Sequence, residues 1–104
     1  IVLAKNNKGL DNLYQLNGIS WEAKSYYYKP RIDFEVLKEH AEGLIVTSAC
    51  IGGPTIQMLL TDSYEKSKQV TQTFVDIFGD DFYIELQDLV IRSKQKEAIE
   101  KGIY

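Results

Sequence analysis

Residues 42–53, Glu-Gly-Leu-Ile-Val-Thr-Ser-Ala-Cys-Ile-Gly-Gly, decide how the rest of the chain is read. Leu44 to Thr47 are continuously apolar or β-branched, the composition of a strand covered on both faces. The small residues Ser48 and Ala49 lead to Cys50 and the Gly52-Gly53 pair, so the strand is expected to end at the cysteine. Pro54 suits the first turn of a helix carrying Ile56, Leu59 and Leu60. A buried strand passing straight into a helix is the building unit of an α/β fold with a mainly parallel sheet.

The flanking sequence repeats that unit. Ile1 to Ala4 suit a second strand, broken by Asn6-Asn7-Lys8-Gly9, after which Leu10, Leu13, Tyr14 and Leu16 recur at helical spacing. Residues 19–33, ISWEAKSYYYKPRID, read as a fixed loop, because the residue before Pro30 is pushed toward extended geometry. Asp33 is placed to cap a short helix with Phe34, Leu37 and Ala41 on one face, Glu35 in its first turn and Gly43 as its stop. After Thr61-Asp62-Ser63, Val70, Phe74, Ile77 and Phe78 form one stripe of a longer helix that Gly79 ends. Residues 80–88, DDFYIELQD, alternate as a strand, with Phe82, Ile84 and Leu86 on one face and Tyr83, Glu85 and Gln87 on the other. Ala98, Ile99 and Ile103 imply a last helix from Ser93. Three strands are few for a complete sheet of this kind. With an apolar opening that lacks Met and a close in what reads as mid-helix, residues 1–104 are expected to be an internal portion of one domain, with no second domain.

The 104 residues are 44% hydrophobic and 26% charged, enough for one modest core. No apolar run approaches the roughly 18 residues of a membrane span and no signal-peptide pattern is present, so a cytoplasmic protein without a membrane partner is expected. The net charge of −3 lacks the field of an independent nucleic-acid binder. One Cys and one His can form neither an internal disulfide nor a four-ligand Zn site, so any metal centre needs ligands from outside this stretch.

Active sites of parallel α/β folds gather at the carboxyl ends of their strands, which makes Cys50 the leading candidate. Its thiolate suits metal ligation or nucleophilic attack, and the glycines permit close approach; the alternative is a small buried cysteine beside a tight turn. Glu85 either binds metal or positions water from the mouth of a barrel, or belongs to a solvent-facing line on a sheet edge. In Tyr26 to Arg31, the aromatics are able to stack and Lys29 and Arg31 to pair with phosphate. Glu22, Asp33 and Glu35 dilute that patch, and it reads first as an ordered loop packing on its own domain. His40 reads as a basic group near a helix end, and Gly52-Gly53 lacks the Gly-Lys-Ser/Thr of a P-loop.

Four blocks in order, LAKNNKGLDNLYQL, YYYKPRID, EGLIVTSACIGG and FGDDFYIELQD, resemble the middle of the PHP (polymerase and histidinol phosphatase) domain found at the amino terminus of bacterial replicative DNA polymerase III alpha subunits. PolC-type and phage polymerases share some of these blocks. The resemblance implies a distorted seven-stranded β/α barrel, (β/α)7, of which this chain is part. It also implies a carboxyl-end cleft for Zn, Mn or Mg, bound by His, Asp, Glu and Cys, with Cys50 on the family's cysteine position. In some members that cleft acts as a phosphoesterase or 3'-5' exonuclease; in others it has decayed and the domain is structural. Polymerisation itself would use Mg at a palm domain elsewhere in the parent chain. The implied partners are the rest of the alpha subunit, DNA and dNTPs through other domains, the sliding clamp and the proofreading subunit.

One departure bears on the cleft. Many relatives continue the last strand as Glu-Leu-Gln-Asp/Arg-His-Gly, where this chain has Glu85-Leu86-Gln87-Asp88-Leu89-Val90. Leu89 can neither ligate a metal nor carry a proton. Two expectations therefore stand: a metal-binding nuclease-like segment of a replicative polymerase, or a metal-free scaffold that braces the polymerase and contacts the proofreading subunit. No catalytic residue is assigned, and the isolated segment is expected to be inactive.

Overall fold

The computed structural model describes residues 1–87 and Gly102. The helix expected from Ser93 and the Leu89 departure lie outside the described residues. Strand β1 (Val2–Ala4) is followed by helices α1 (Asn7–Ser20) and α2 (Phe34–Glu39), strand β2 (Leu44–Thr47), helices α3 (Pro54–Thr61) and α4 (Tyr64–Phe78), and strand β3 (Phe82–Tyr83). The mixed helix and strand content is that of an α/β fold.

Local chemistry sets the helix starts. The Asn6 side chain accepts from the Gly9 N–H at 2.9 Å, Asp33 from the Val36 N–H at 2.8 Å and Ser63 from the Lys66 N–H at 3.1 Å. Each satisfies an N–H that the first helical turn leaves without a partner. Pro54 occupies the first turn of α3, where its missing N–H costs nothing.

The sheet runs β1-β2-β3 and corrects the expectation of mainly parallel strands. β2 and β3 are parallel, with Val46 opposite Phe82, whereas β1 and β2 are antiparallel, with Val2 opposite Val46 and Ala4 opposite Leu44. The reason lies in the connection: two helices and the 21–33 loop, rather than one crossover helix, return the chain to the end of the sheet that it left. The two ends are pinned there by a Lys5 N–H bond to the Gly43 carbonyl at 2.9 Å. β2 also stops at Thr47, short of Cys50. Only one of its faces is fully covered: Leu44 and Val46 are buried, while Ile45 and Thr47 are half-buried.

Leu16, Leu37, Leu44, Val46, Phe74 and Phe78 form the core, flanked by Val70, Ile77 and Phe82. The stripe read on α4 is thus the stripe that packs. Phe74 is its centre, stacked on Phe82 with centroids 5.1 Å apart and meeting Phe34 edge-on at 5.0 Å. α1 departs from its apolar pattern, since Leu10 and Tyr14 are exposed. Its packed face is Gly9, Asn12, Leu16 and Ser20. Asn12 donates to the Glu42 carbonyl at 2.8 Å, and a Cβ at Gly9 would lie 1.9 Å from the Gly43 oxygen, so helix and strand entry meet backbone to backbone. Beyond Tyr83, Ile84 and Leu86 are exposed rather than aligned with Phe82 on a buried face, because no described layer covers them.

Candidate functional site

Parallel β2 and β3 present their carboxyl ends side by side, with Thr47 opposite Tyr83, and the chain leaves β2 directly into the turn that carries Cys50. The cysteine is free and exposed, which removes the reading of a small buried thiol. It stands on a defined turn. The Gly53 N–H donates to the Cys50 carbonyl at 2.9 Å, and Gln57 Nε2 donates to the Ile51 carbonyl at 2.7 Å. Ala49, just before the cysteine, adopts φ +60°, a conformation costing an L-residue roughly 1–2 kcal/mol. Such strain persists only where neighbouring contacts hold it.

Those contacts come from Thr47, Ser48 and Glu85. The Ala49 N–H donates to Thr47 Oγ1 at 3.2 Å, and the same hydroxyl donates to Glu85 Oε2. The Ser48 N–H donates to the Tyr83 carbonyl at 2.9 Å, and Ser48 Oγ accepts from the Glu85 N–H at 2.8 Å. Gln87 Nε2 reaches Glu85 Oε1 at 3.0 Å. The Thr47 hydroxyl first, and then the Gln87 amide, hold the Glu85 carboxyl below its ordinary value, against a smaller opposing effect of burial. Glu85 therefore faces the end of β2 rather than standing in a free solvent line.

Lys29 and Arg31 lie on the 21–33 loop. α1 starts beside Gly43 and rises about 21 Å over its length, and Phe34, just past the loop, contacts Phe74, which stacks on Phe82 opposite Val46. Arg31 sits with its guanidinium carbon 5.0 Å from the Tyr27 ring centroid, and its N–H reaches the Ser20 carbonyl at 3.3 Å. Among the described contacts neither cation bonds to Cys50 or Glu85. The expectation that the tyrosines pack on their own domain is corrected: Tyr26, Tyr27 and Tyr28 are exposed, the last at 86%. Trp21 stacks on Tyr26 at 5.8 Å and Tyr27 meets Tyr28 edge-on at 4.8 Å, so these rings pack on one another. His40 bonds through Nδ1 to the Val36 carbonyl at 2.8 Å at the end of α2, four residues before the start of β2.

Among the described residues no three His, Cys, Asp or Glu side chains cluster as a metal site. Cys50 offers one exposed thiol donor, which would need ligands from beyond the described residues to hold a metal. Of Zn2+, Mn2+ and Mg2+, a thiolate suits Zn2+ best. Sequence pattern alone does not mark Thr47, Ser48 and Ala49 as site residues. The only trace they leave in the sequence is the small polar step between a β-branched run and the cysteine.

No described helix is long and apolar enough to cross a membrane. The chain is 47% identical over 87 residues to the DNA polymerase III subunit alpha of Borreliella burgdorferi, an alignment covering 84% of this chain and 8% of that protein. It is 42% identical over 87 residues to the Aquifex aeolicus subunit, covering 84% and 7%, and 38% identical over 99 residues to the Treponema pallidum subunit, covering 94% and 8%. The chain thus spans less than a tenth of the length of these curated relatives. The PHP domain family matches residues 1–89, a stretch that includes β1 to β3, the Cys50 turn and Glu85, and the chain belongs to that family.

Proposed function

We propose that this chain is part of a bacterial-type replicative DNA polymerase alpha subunit, and that its PHP segment contributes Cys50 to a metal-binding, phosphoesterase-like cleft. The observation that carries the reading is the exposed thiol on a held turn at the carboxyl ends of two parallel strands. The remaining ligands come from elsewhere in the parent chain, whose sheet completes the (β/α)7 barrel. Zn2+ is the metal such a donor favours, and a bound metal would supply Lewis-acid polarisation of a phosphoryl oxygen. Lys29 and Arg31, cations of the 21–33 loop, would contact phosphate of a nucleic-acid substrate in a 3'-5' exonuclease reaction. Template-directed synthesis from dNTPs belongs to other domains of the parent chain, as do contacts with the sliding clamp and the proofreading subunit.

The competing reading, a metal-free scaffold that braces the polymerase, is favoured by Leu89 standing where many relatives have His. Elemental analysis of the full-length parent chain separates the two. The cleft reading expects stoichiometric metal and a loss of bound metal in Cys50→Ala, with metal-dependent hydrolysis of a single-stranded oligonucleotide falling in parallel. Metal-free protein establishes the scaffold, and metal retained in full by Cys50→Ala refutes Cys50 as a ligand.

A further inference from the structure

We propose that Glu85 is the positioning residue of the Cys50 turn and not itself a metal ligand. The link to metal rests on the cleft reading; the effect on the turn does not. The side chain and backbone of Glu85 grip consecutive residues of the chain leaving β2. Its carboxylate accepts a hydrogen bond from the Thr47 hydroxyl, and its N–H donates to Ser48 Oγ at 2.8 Å, on a residue only 3% exposed.

A threonine hydroxyl has one proton to give and lone pairs to receive. With that proton committed to Glu85, the lone pairs of Thr47 Oγ1 are turned to the Ala49 N–H at 3.2 Å. Thus the carboxylate orients the hydroxyl, the hydroxyl holds the amide of a residue at φ +60°, and that residue immediately precedes the thiol. On the far side of the cysteine the Gly53 N–H and the Gln57 side chain close the turn. Both shoulders of Cys50 are fixed, one of them through Glu85. Gln87 meets the second carboxylate oxygen at 3.0 Å and steadies the acceptor. Partners of this kind orient a metal's protein ligands, and their removal typically lowers metal affinity about 10–100-fold.

The test uses the full-length parent chain with Co2+ as the probe. Two readouts are taken: hydrogen exchange of the peptide covering residues 47–53 in metal-free protein, and Co2+ affinity from the thiolate-to-Co2+ charge-transfer band. The melting temperature of each variant verifies folding. Glu85→Ala and Thr47→Val should each speed exchange in that peptide about tenfold and weaken Co2+ binding about 10–100-fold. The double variant should be no worse than either single change, because the two act as one unit. Glu85→Gln, whose amide oxygen still accepts from Thr47, and Thr47→Ser should stay within about threefold of the parent. Unchanged exchange in Glu85→Ala overturns the proposal. So does Co2+ loss in Glu85→Gln equal to that in Glu85→Ala, since that marks a ligand. If the parent shows no charge-transfer band, or keeps it in Cys50→Ala, the cleft reading fails while the exchange data still decide the role of Glu85.

Discussion

A methyl group added at Gly53 would lie 2.2 Å from the Ser48 carbonyl oxygen and 3.1 Å from that of Cys50. The backbone of Gly53, φ −71° and ψ 155°, suits any residue, so the cost of Gly53→Ala is purely steric. Reaching even 3.0 Å from Ser48 requires the two segments to part by about 0.8 Å. Ser48 is tied to Tyr83 and Glu85 by bonds of 2.9 and 2.8 Å, and a retreat of that size along them stretches these to about 3.7 and 3.6 Å, past useful range. Two such bonds at roughly 1 kcal/mol each, plus residual crowding, put the local cost at about 2–3 kcal/mol. Gly52→Ala is the internal control. Its Cβ would meet only Cys50 Sγ, at an ordinary 3.7 Å, and should cost under about 0.5 kcal/mol. Hydrogen exchange of residues 44–60 in the full-length parent chain reads local opening without requiring global two-state unfolding. Gly53→Ala should speed exchange there about 30- to 150-fold, and Gly52→Ala should leave it near the parent. Equal rates for the two variants would refute the packing described for this turn.

Phe74→Ala removes a ring that is 8% exposed and touches two others, and should destabilise the segment by about 3–5 kcal/mol; Tyr14→Ala, on the open side of α1, should stay within about 0.5 kcal/mol. Denaturant-dependent exchange of Leu44 to Val46 amides measures both. Because hydrogen bonds depress the Glu85 carboxyl, its contribution is fully present above the ordinary carboxylate range and is lost as pH falls through the depressed folded value. Protection of residues 47–53, corrected for intrinsic exchange, should therefore hold at neutral pH and fall on acidification by no more than the roughly threefold expected of Glu85→Gln, a variant that should flatten the profile.

Periodicity carried the fold where apolar contacts dominate. Phe74 and Phe78 were legible because α4 shows one stripe, and Leu44 and Val46 because strand composition is explicit. On α1 the helix and the packed Leu13 and Leu16 were legible, whereas the inward Gly9, Asn12 and Ser20 were not, because the fit of Gly9 and Asn12 depends on the backbone of Gly43 and the carbonyl of Glu42, some 30 residues away in sequence. The antiparallel β1–β2 pair was hidden because strand direction depends on how many helices the connection contains and where it turns back, which no local pattern records. At the site, Cys50 was legible from its place after a strand. The left-handed Ala49 was not, since an alanine gives no sign of a positive φ. Nor was the grip of Glu85 on Thr47 and Ser48, which depends on the register of β2 against β3. The exposed Tyr26–Tyr28 cluster shows the reverse limit: the loop was expected to pack on its own domain, and its rings pack on one another instead.

The most direct test of the central claim is X-ray absorption at the metal edge of the Zn2+-loaded full-length parent chain and of its Cys50→Ala variant. The account predicts a sulfur shell at about 2.3 Å in the parent that disappears in the variant. A parent spectrum with only nitrogen and oxygen neighbours, or a sulfur shell that survives loss of Cys50, contradicts it.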